Sequence, residues 1–242
     1  MSTPEPPPAA AVAGHARGLG GHLHVPAWLR ETRGERRWPV AAVMVVGIGL
    51  QLLLPDRLTL VSHWLMPTLE LALLAALVVA NPDRLDRESS ILRTASLTLT
   101  SLLSLANGFS AVRLSMELVT GRAGDDAGPL LSTGGSIWLT NIIAFALWYW
   151  QFDRGGPAAR AHARRREPDF CFVQMQNPEL AHPDWEPEFV DYLYLSFTNA
   201  TAFSPTDVLP LSRWAKLTMA AQTLVSLVTV ILVIARAVNI LK

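Results

Sequence analysis

Hydrophobic residues fall into long runs separated by short polar stretches, and the length of each run sets what it predicts. A helix that crosses a bilayer needs about 20 predominantly apolar residues, with a lower limit near 17. Trp38 to Leu54 is the first such run, ended by Pro55, and Trp64 to Ala80 is the second, with Pro67 in its first turn and Asn81-Pro82 closing it. Both stand near the short limit. The third, Ile91 to Thr120, measures about 45 Å as a helix against a hydrocarbon core of about 30 Å, so it must tilt or protrude. A turn-rich loop, Gly121 to Gly135, precedes a fourth run from Ser136 to about Gln151, and a fifth runs from Leu211 to about Leu241. Between these last two, the segment after Trp185 is amphipathic, too short and too polar to cross. It breaks at Ser204, Pro205 and Thr206 and turns at Asp207 and Pro210.

A short helix, an irregular polar segment and a full-length helix in succession predict a re-entrant loop. Backbone at membrane depth without helical bonding survives only where protein or water satisfies it. The predicted fold is therefore an all-α integral membrane protein with about five transmembrane helices and one short re-entrant helix before the last. Its regions are a disordered cytoplasmic tail (1–37), a four-helix membrane region (38–152), a polar Arg-rich connecting loop (153–187), and a re-entrant helix, turn and final helix (188–242). Pro187 is read as the first position of the short helix, with Asp184, Glu186 and Glu188 near its positive end.

Polar residues inside the apolar runs are the candidates for chemistry. Glu70 lies about one turn inside the second run; an ionisable group there is a functional candidate by default, although so near an end its side chain has the headgroups within reach. Ser96, Thr100, Ser104 and Asn107 share one face of the third run, a pattern suited first to hydrogen bonding between helices. Arg113 and Glu117, one turn apart, predict an ion pair, and Trp148-Tyr149-Trp150 predicts an interfacial belt. The fifth run carries Thr218, Gln222, Ser226, Thr229 and Arg236 as one stripe. Two readings of it stand: packing against the third run, or lining an aqueous path.

Composition agrees with the class. Half of the 242 residues are hydrophobic and the net charge is zero, with a mean hydropathy of +0.28. A neutral chain has no basic excess with which to neutralise phosphates, which argues against a nucleic-acid partner. Cys171 is the single cysteine, so the chain forms no internal disulfide and holds no CxxC site. His22 and His24, with His15 nearby, are read as solvated tail histidines rather than metal ligands. No metal, cofactor or catalytic signature is present: no nucleophile elbow, zinc-ligand spacing or Gly-rich phosphate loop.

Arginines sort strongly between connections. Five in the tail, three in the second connection and five in the fourth stand against Arg57 and Arg122 in the first and third. The positive-inside rule then places the N-terminus in the cytoplasm of a multi-pass inner (plasma) membrane protein, and has the short helix enter from the cytoplasm. Arg154, Arg160, Arg164, Arg165 and Arg166 are read chiefly as topology determinants, with anionic lipid the other use.

The last 55 or so residues resemble the pore module of two-span potassium channels, whose pore reads approximately Y-F-S-F-x-T-x-T-T-x-G-Y-G-D-x-x-P. Tyr194, Ser196, Phe197, Thr198, Thr201, Asp207 and Pro210 fall on matching positions. Where that module has its filter glycines and tyrosine this chain has Ser204, Pro205 and Thr206, and Ser226 where it has a hinge glycine. Ser-Pro-Thr does not readily repeat a glycine-dependent filter, so potassium selectivity does not carry over. The whole chain also resembles a family of small bacterial integral membrane proteins of unknown function in which the phrase SFTNATAFSPTD is the signature. The channel resemblance implies a loop entering from outside, whereas the arginine count has it enter from the cytoplasm; the size of the charge asymmetry favours the latter.

Two functions follow. The first is a channel-like pore for cations, formed by a homo-oligomer, with Thr198, Asn199, Thr201, Ser204, Thr206 and Asp207 at the constriction and Gln222, Ser226 and Thr229 lining the path. Asp207 has a second reading, as the N-cap of the last helix. The other function is a non-conducting membrane scaffold or accessory subunit for a partner membrane protein, its pore-like loop packed as a plug. An enzyme is not expected.

Overall fold

The computed structural model describes residues 25–85, 89–122, 124, 126–201 and 207–240. The tail histidines and Ser204 to Thr206 lie outside these residues. Among the described residues the fold is all-α apart from one two-residue β ladder and an isolated bridge between Arg36 and Arg84. The helices are α1 (Trp38–Gln51), α2 (Leu65–Ala80), α3 (Ser90–Val119), α4 (Ala127–Phe152), α5 (Pro157–Ala161), α6 (Val173–Gln176), α7 (Phe189–Ala200) and α8 (Arg213–Ile240). Strand β1 (Phe170–Cys171) pairs antiparallel with β2 (Leu209–Pro210), Phe170 opposite Pro210. Helices α3, α4 and α8 are long and apolar enough to cross a membrane; α1 and α2 are apolar but shorter.

Local sequence explains most helix starts. Ser89 Oγ accepts the Leu92 N–H and caps α3, and Asp126 Oδ1 accepts from Gly128 at 3.1 Å to cap α4. Helix α4 therefore begins nine residues before the expected Ser136: Asp126 supplies a cap, Pro129 is tolerated in the first turn, and Gly134 serves packing instead of a loop. A Cβ on Gly134 would stand 2.7 and 2.9 Å from the Val233 methyls, so α4 and α8 meet there at a separation that only glycine permits.

Helix α4 is central and packs against α1, α3, α7 and α8, while α2 covers α1 and α3. The pairings run along its length. Thr100 on α3 accepts from Gln151, and Ser104 from Trp148 at 2.8 Å, so the Thr100–Ser104 part of the polar face of α3 is spent on α4. Trp148-Tyr149-Trp150 is not an interfacial belt: Tyr149 and Trp150 are buried inside the bundle. Glu117 pairs with Arg57 of the α1–α2 connection at 3.1 Å rather than with Arg113, because the connection folds over the end of α3. Helix α8 is polar inside and apolar outside, with Gln222, Ser226 and Thr229 buried while Leu217, Leu224, Ile231 and Ile234 are exposed.

Candidate functional site

The short helix α7 is positioned first by its own N-terminus. Glu188 and Asp191 form a reciprocal capping box, with Asp191 Oδ2 accepting from Glu188 N at 2.8 Å. The helix thus starts at Phe189, two residues after the expected Pro187, since Glu188 is the residue able to cap. Its apolar and polar spacing then buries Tyr192, Leu195, Ser196 and Asn199 on one face, which packs against both α4 and α8.

Gln222 of α8 ties the three helices together and is fully buried. Its Oε1 accepts from the Tyr149 hydroxyl at 2.6 Å and from Asn199 Nδ2 at 2.8 Å. Its Nε2 donates to the Ser196 carbonyl at 2.9 Å and to Ser196 Oγ at 2.6 Å. Ser196 Oγ in turn donates to the Ile142 carbonyl of α4 at 2.7 Å. Asn199 Nδ2 also donates to the Met219 carbonyl at 3.0 Å, and Thr223 donates to Asn199 Oδ1 at 3.2 Å. A turn further along α8, Ser226 Oγ accepts from Asn141 Nδ2 at 2.9 Å. A network satisfied in this way rigidifies the contact it sits in.

The residues singled out for a pore divide accordingly. Asn199, Gln222 and Ser226 are brought together inside the α4–α7–α8 contact, and Thr229, also buried, returns its hydroxyl to the Val225 carbonyl at 2.8 Å. Thr198 and Thr201, half-buried at the end of α7, donate back to Tyr194 and Phe197 carbonyls at 3.0 and 3.1 Å. Asp207 is exposed and does not begin α8, whose cap is Ser212 Oγ, accepting from Ala215 N at 3.3 Å. Ser204 and Thr206 lie outside the described residues.

A second buried cluster, at the end of α4, escaped the sequence reading. Asp153 is fully buried and accepts from Tyr192 Oη at 2.5 Å and from Asp169 N at 2.8 Å. Arg160 of α5 is buried as well; its Nη1 donates to the Trp150 and Asp153 carbonyls at 2.7 and 3.0 Å, its Nη2 lies 4.0 Å from Glu35 Oε2, and its guanidinium covers the Tyr192 ring. Glu35 accepts from Trp150 Nε1 at 2.7 Å and from the Phe189 N–H that opens α7. Burial pushes its carboxyl up to about 7, against the opposing pull of Arg160, Trp150 and Phe189. Arg154, in the left-handed region at φ 53°, is buried too, with its Nε on the Arg165 carbonyl at 2.8 Å.

Two of the five arginines read chiefly as topology determinants, Arg154 and Arg160, are also internal struts. The segment 153–187 is folded against the bundle, because Asp153 and Asp169 supply acceptors that the arginine count ignores. Asp169 also receives the Trp214 indole N–H at 2.8 Å, and its carbonyl accepts from Leu211 N at 2.8 Å. The end of α4 and the starts of α7 and α8 therefore share one end of the bundle. Glu70, read from the sequence either as a functional group at depth or as a side chain reaching the headgroups, is fully buried, with Oε2 accepting from Gln51 Nε2 at 2.6 Å.

No protein-family model, curated protein or solved structure matches this chain. The class rests on its own features: an all-α protein with three helices long and apolar enough to cross a membrane.

Proposed function

We propose that this is a non-conducting multi-pass membrane protein, a scaffold or accessory subunit, in which α7 is a re-entrant helix packed as a plug between α4 and α8. In this reading α1, α2, α3, α4 and α8 cross the bilayer, which receives the leucine-rich outer face of α8. The single observation that carries it is Gln222. Both of its polar atoms are occupied by α4 and α7, leaving this side chain, at the centre of the stripe, nothing with which to solvate an ion.

Helices α7 and α8 starting at the same end of the bundle support the re-entrant path, since a helix of 12 residues reaches only about 18 Å. The arginines gathered at that end favour its being cytoplasmic. A cation pore is the second reading, favoured by the same α4–α7–α8 succession and by the exposure of Asp207, and it requires an oligomer around the 201–212 return.

Cation flux in proteoliposomes tests the choice. We expect none above empty vesicles; flux that Asp207→Ala abolishes would establish the pore reading instead. Orientation is tested with Cys171, half-exposed beside the entry of α7. Burial raises its thiol above the usual range, so a membrane-impermeant maleimide is best applied at mildly alkaline pH. Reaction only after lysis is the expected result, and reaction in intact cells would reverse the topology.

A further inference from the structure

Away from α7, the helices α1, α2 and α3 border two cavities at opposite ends of one shared face, the larger of them closed also by the end of α4 and by α5. The larger, about 340 Å³, opens at the arginine-rich end and is walled in depth by Val40 and Met44 of α1 and Leu74 and Leu77 of α2. The smaller, about 20 Å³, lies at the other end against Gln51, Met66, Pro67 and Ser110, with room for about one water. Met66 and Leu74 stand one turn before and one turn after Glu70, on the same face of α2, so Glu70 occupies the layer between the cavities, about 6 Å along the helix from each.

One turn along α1 from Gln51, toward the larger cavity, the packing is apolar and close: a Cβ on Gly47 would touch Ile143 at 3.3 Å and Leu103 at 3.7 Å. Glu70 is fully buried, Gln51 supplies its single donor, and its Oε1 has no partner among the described residues. No cation among those residues balances it. Helix α1 has no titratable residue and α2 has no other. On α3, Arg113 donates to the Arg57 carbonyl at 3.4 Å and Glu117 bonds Arg57, while Arg93 borders the larger cavity. In the α1–α2 connection His63 pairs with Asp56 at 3.5 Å. A carboxylate buried without a counter-charge is costly enough that the group neutralises instead, and in pumps and transporters such residues mark proton relays.

We propose that Glu70 is a proton-binding site in the barrier between the two cavities, loaded and unloaded from one or both of them. This rests on the reading that α1–α3 cross a bilayer, and it concerns a region separate from the α7 plug.

Dicyclohexylcarbodiimide, a lipid-soluble reagent for protonated carboxyls, tests it on the full chain in proteoliposomes. The carboxyl adds across one C=N bond, oxygen bonding to the central carbon and the proton moving to nitrogen. The acyl carbon then leaves that oxygen for nitrogen, giving a stable N-acylurea with nothing lost. Peptide mapping should find the adduct on Glu70, its yield falling about tenfold per pH unit above the titration point, and absent from Glu70→Gln. Should that variant fail to fold, the infrared difference spectrum of Glu35→Gln, which removes a second buried carboxyl, one that titrates at about 7, supplies between acid and alkaline pH a carboxylic-acid C=O band that must follow the same titration. No adduct and no band at any pH, or labelling that ignores pH, would overturn the proposal. Protection by sodium ions at constant pH would overturn it in favour of a sodium site. Resistance to alkaline extraction reports membrane insertion independently, so failure of this inference is distinguishable from failure of the membrane reading.

Discussion

Replacing Gln222 with leucine isolates the contact that fixes α7. The substitution keeps the volume and deletes four hydrogen bonds, to Tyr149, Asn199 and twice to Ser196. Each is worth about 1 kcal/mol net in a water-soluble protein and about 0.6 kcal/mol inside a bilayer. The lost bonds alone therefore cost about 2–4 kcal/mol. Asn199 keeps the Met219 carbonyl, but the Tyr149 hydroxyl is left buried without its short acceptor, which adds roughly 1 kcal/mol or more.

Tyr149→Phe alone deletes the short bond to Gln222 and a long one, 3.5 Å, from Asn199 Nδ2, and should cost about 1 kcal/mol. In the Gln222→Leu background the same change removes a hydroxyl whose proton has lost its acceptor and should be neutral or stabilising. The double-mutant cycle then gives a coupling of about 1–2 kcal/mol. Reversible unfolding in mixed micelles titrated with dodecyl sulfate, followed by near-ultraviolet circular dichroism, measures all four proteins. If Tyr149→Phe costs the same in both backgrounds, the hydrogen bond and the argument built on it are wrong.

Other predictions concern the frame around this contact. Because the Glu35 carboxyl sits at about 7 in the folded chain against an ordinary 4.5, the folded state binds the extra proton: its stabilisation is complete below about pH 4.5 and is lost as pH rises through 7. The loss is on the order of 3 kcal/mol, and unfolding measured from pH 5 to 8 should show it for the wild type and a flatter profile for Glu35→Gln. Gly156→Ala meets a φ of +99° and places its Cβ 2.8 Å from the Gln151 carbonyl oxygen, so a loss of about 1–3 kcal/mol is expected in the same assay. Gly134→Ala should cost about 1–3 kcal/mol by pressing on Val233, and Val233→Ala should recover most of it; no recovery would contradict the close approach of α4 and α8.

Much of the helical layout was legible because it follows from local pattern. Run length located α1, α2, α3 and α8 to within a few residues, and the polar break after Ala200 marked α7 as short. Errors arose where one residue type has two uses. Glycine-rich sequence before Ser136 read as a loop, yet an Asp126 cap and a close α4–α8 crossing put it in a helix. Arginines read as topology determinants or lipid contacts, yet Arg154 and Arg160 are buried because nearby carbonyls, and for Arg160 the distant Glu35 carboxylate, receive them.

The sequence by itself determined the class of secondary structure, the apolar helices and the periodic polar stripes, since burial against any neighbour, lipid or protein, demands those spacings. Which neighbour each stripe meets was decided only by the tertiary structure. Glu35 and Trp150 are joined across 115 residues and Asn141 and Ser226 across 85, and pairs at that separation leave no periodic trace. The same holds for Gln222: its spacing announces a polar face, but only the packing of α7 between α4 and α8 closes that face.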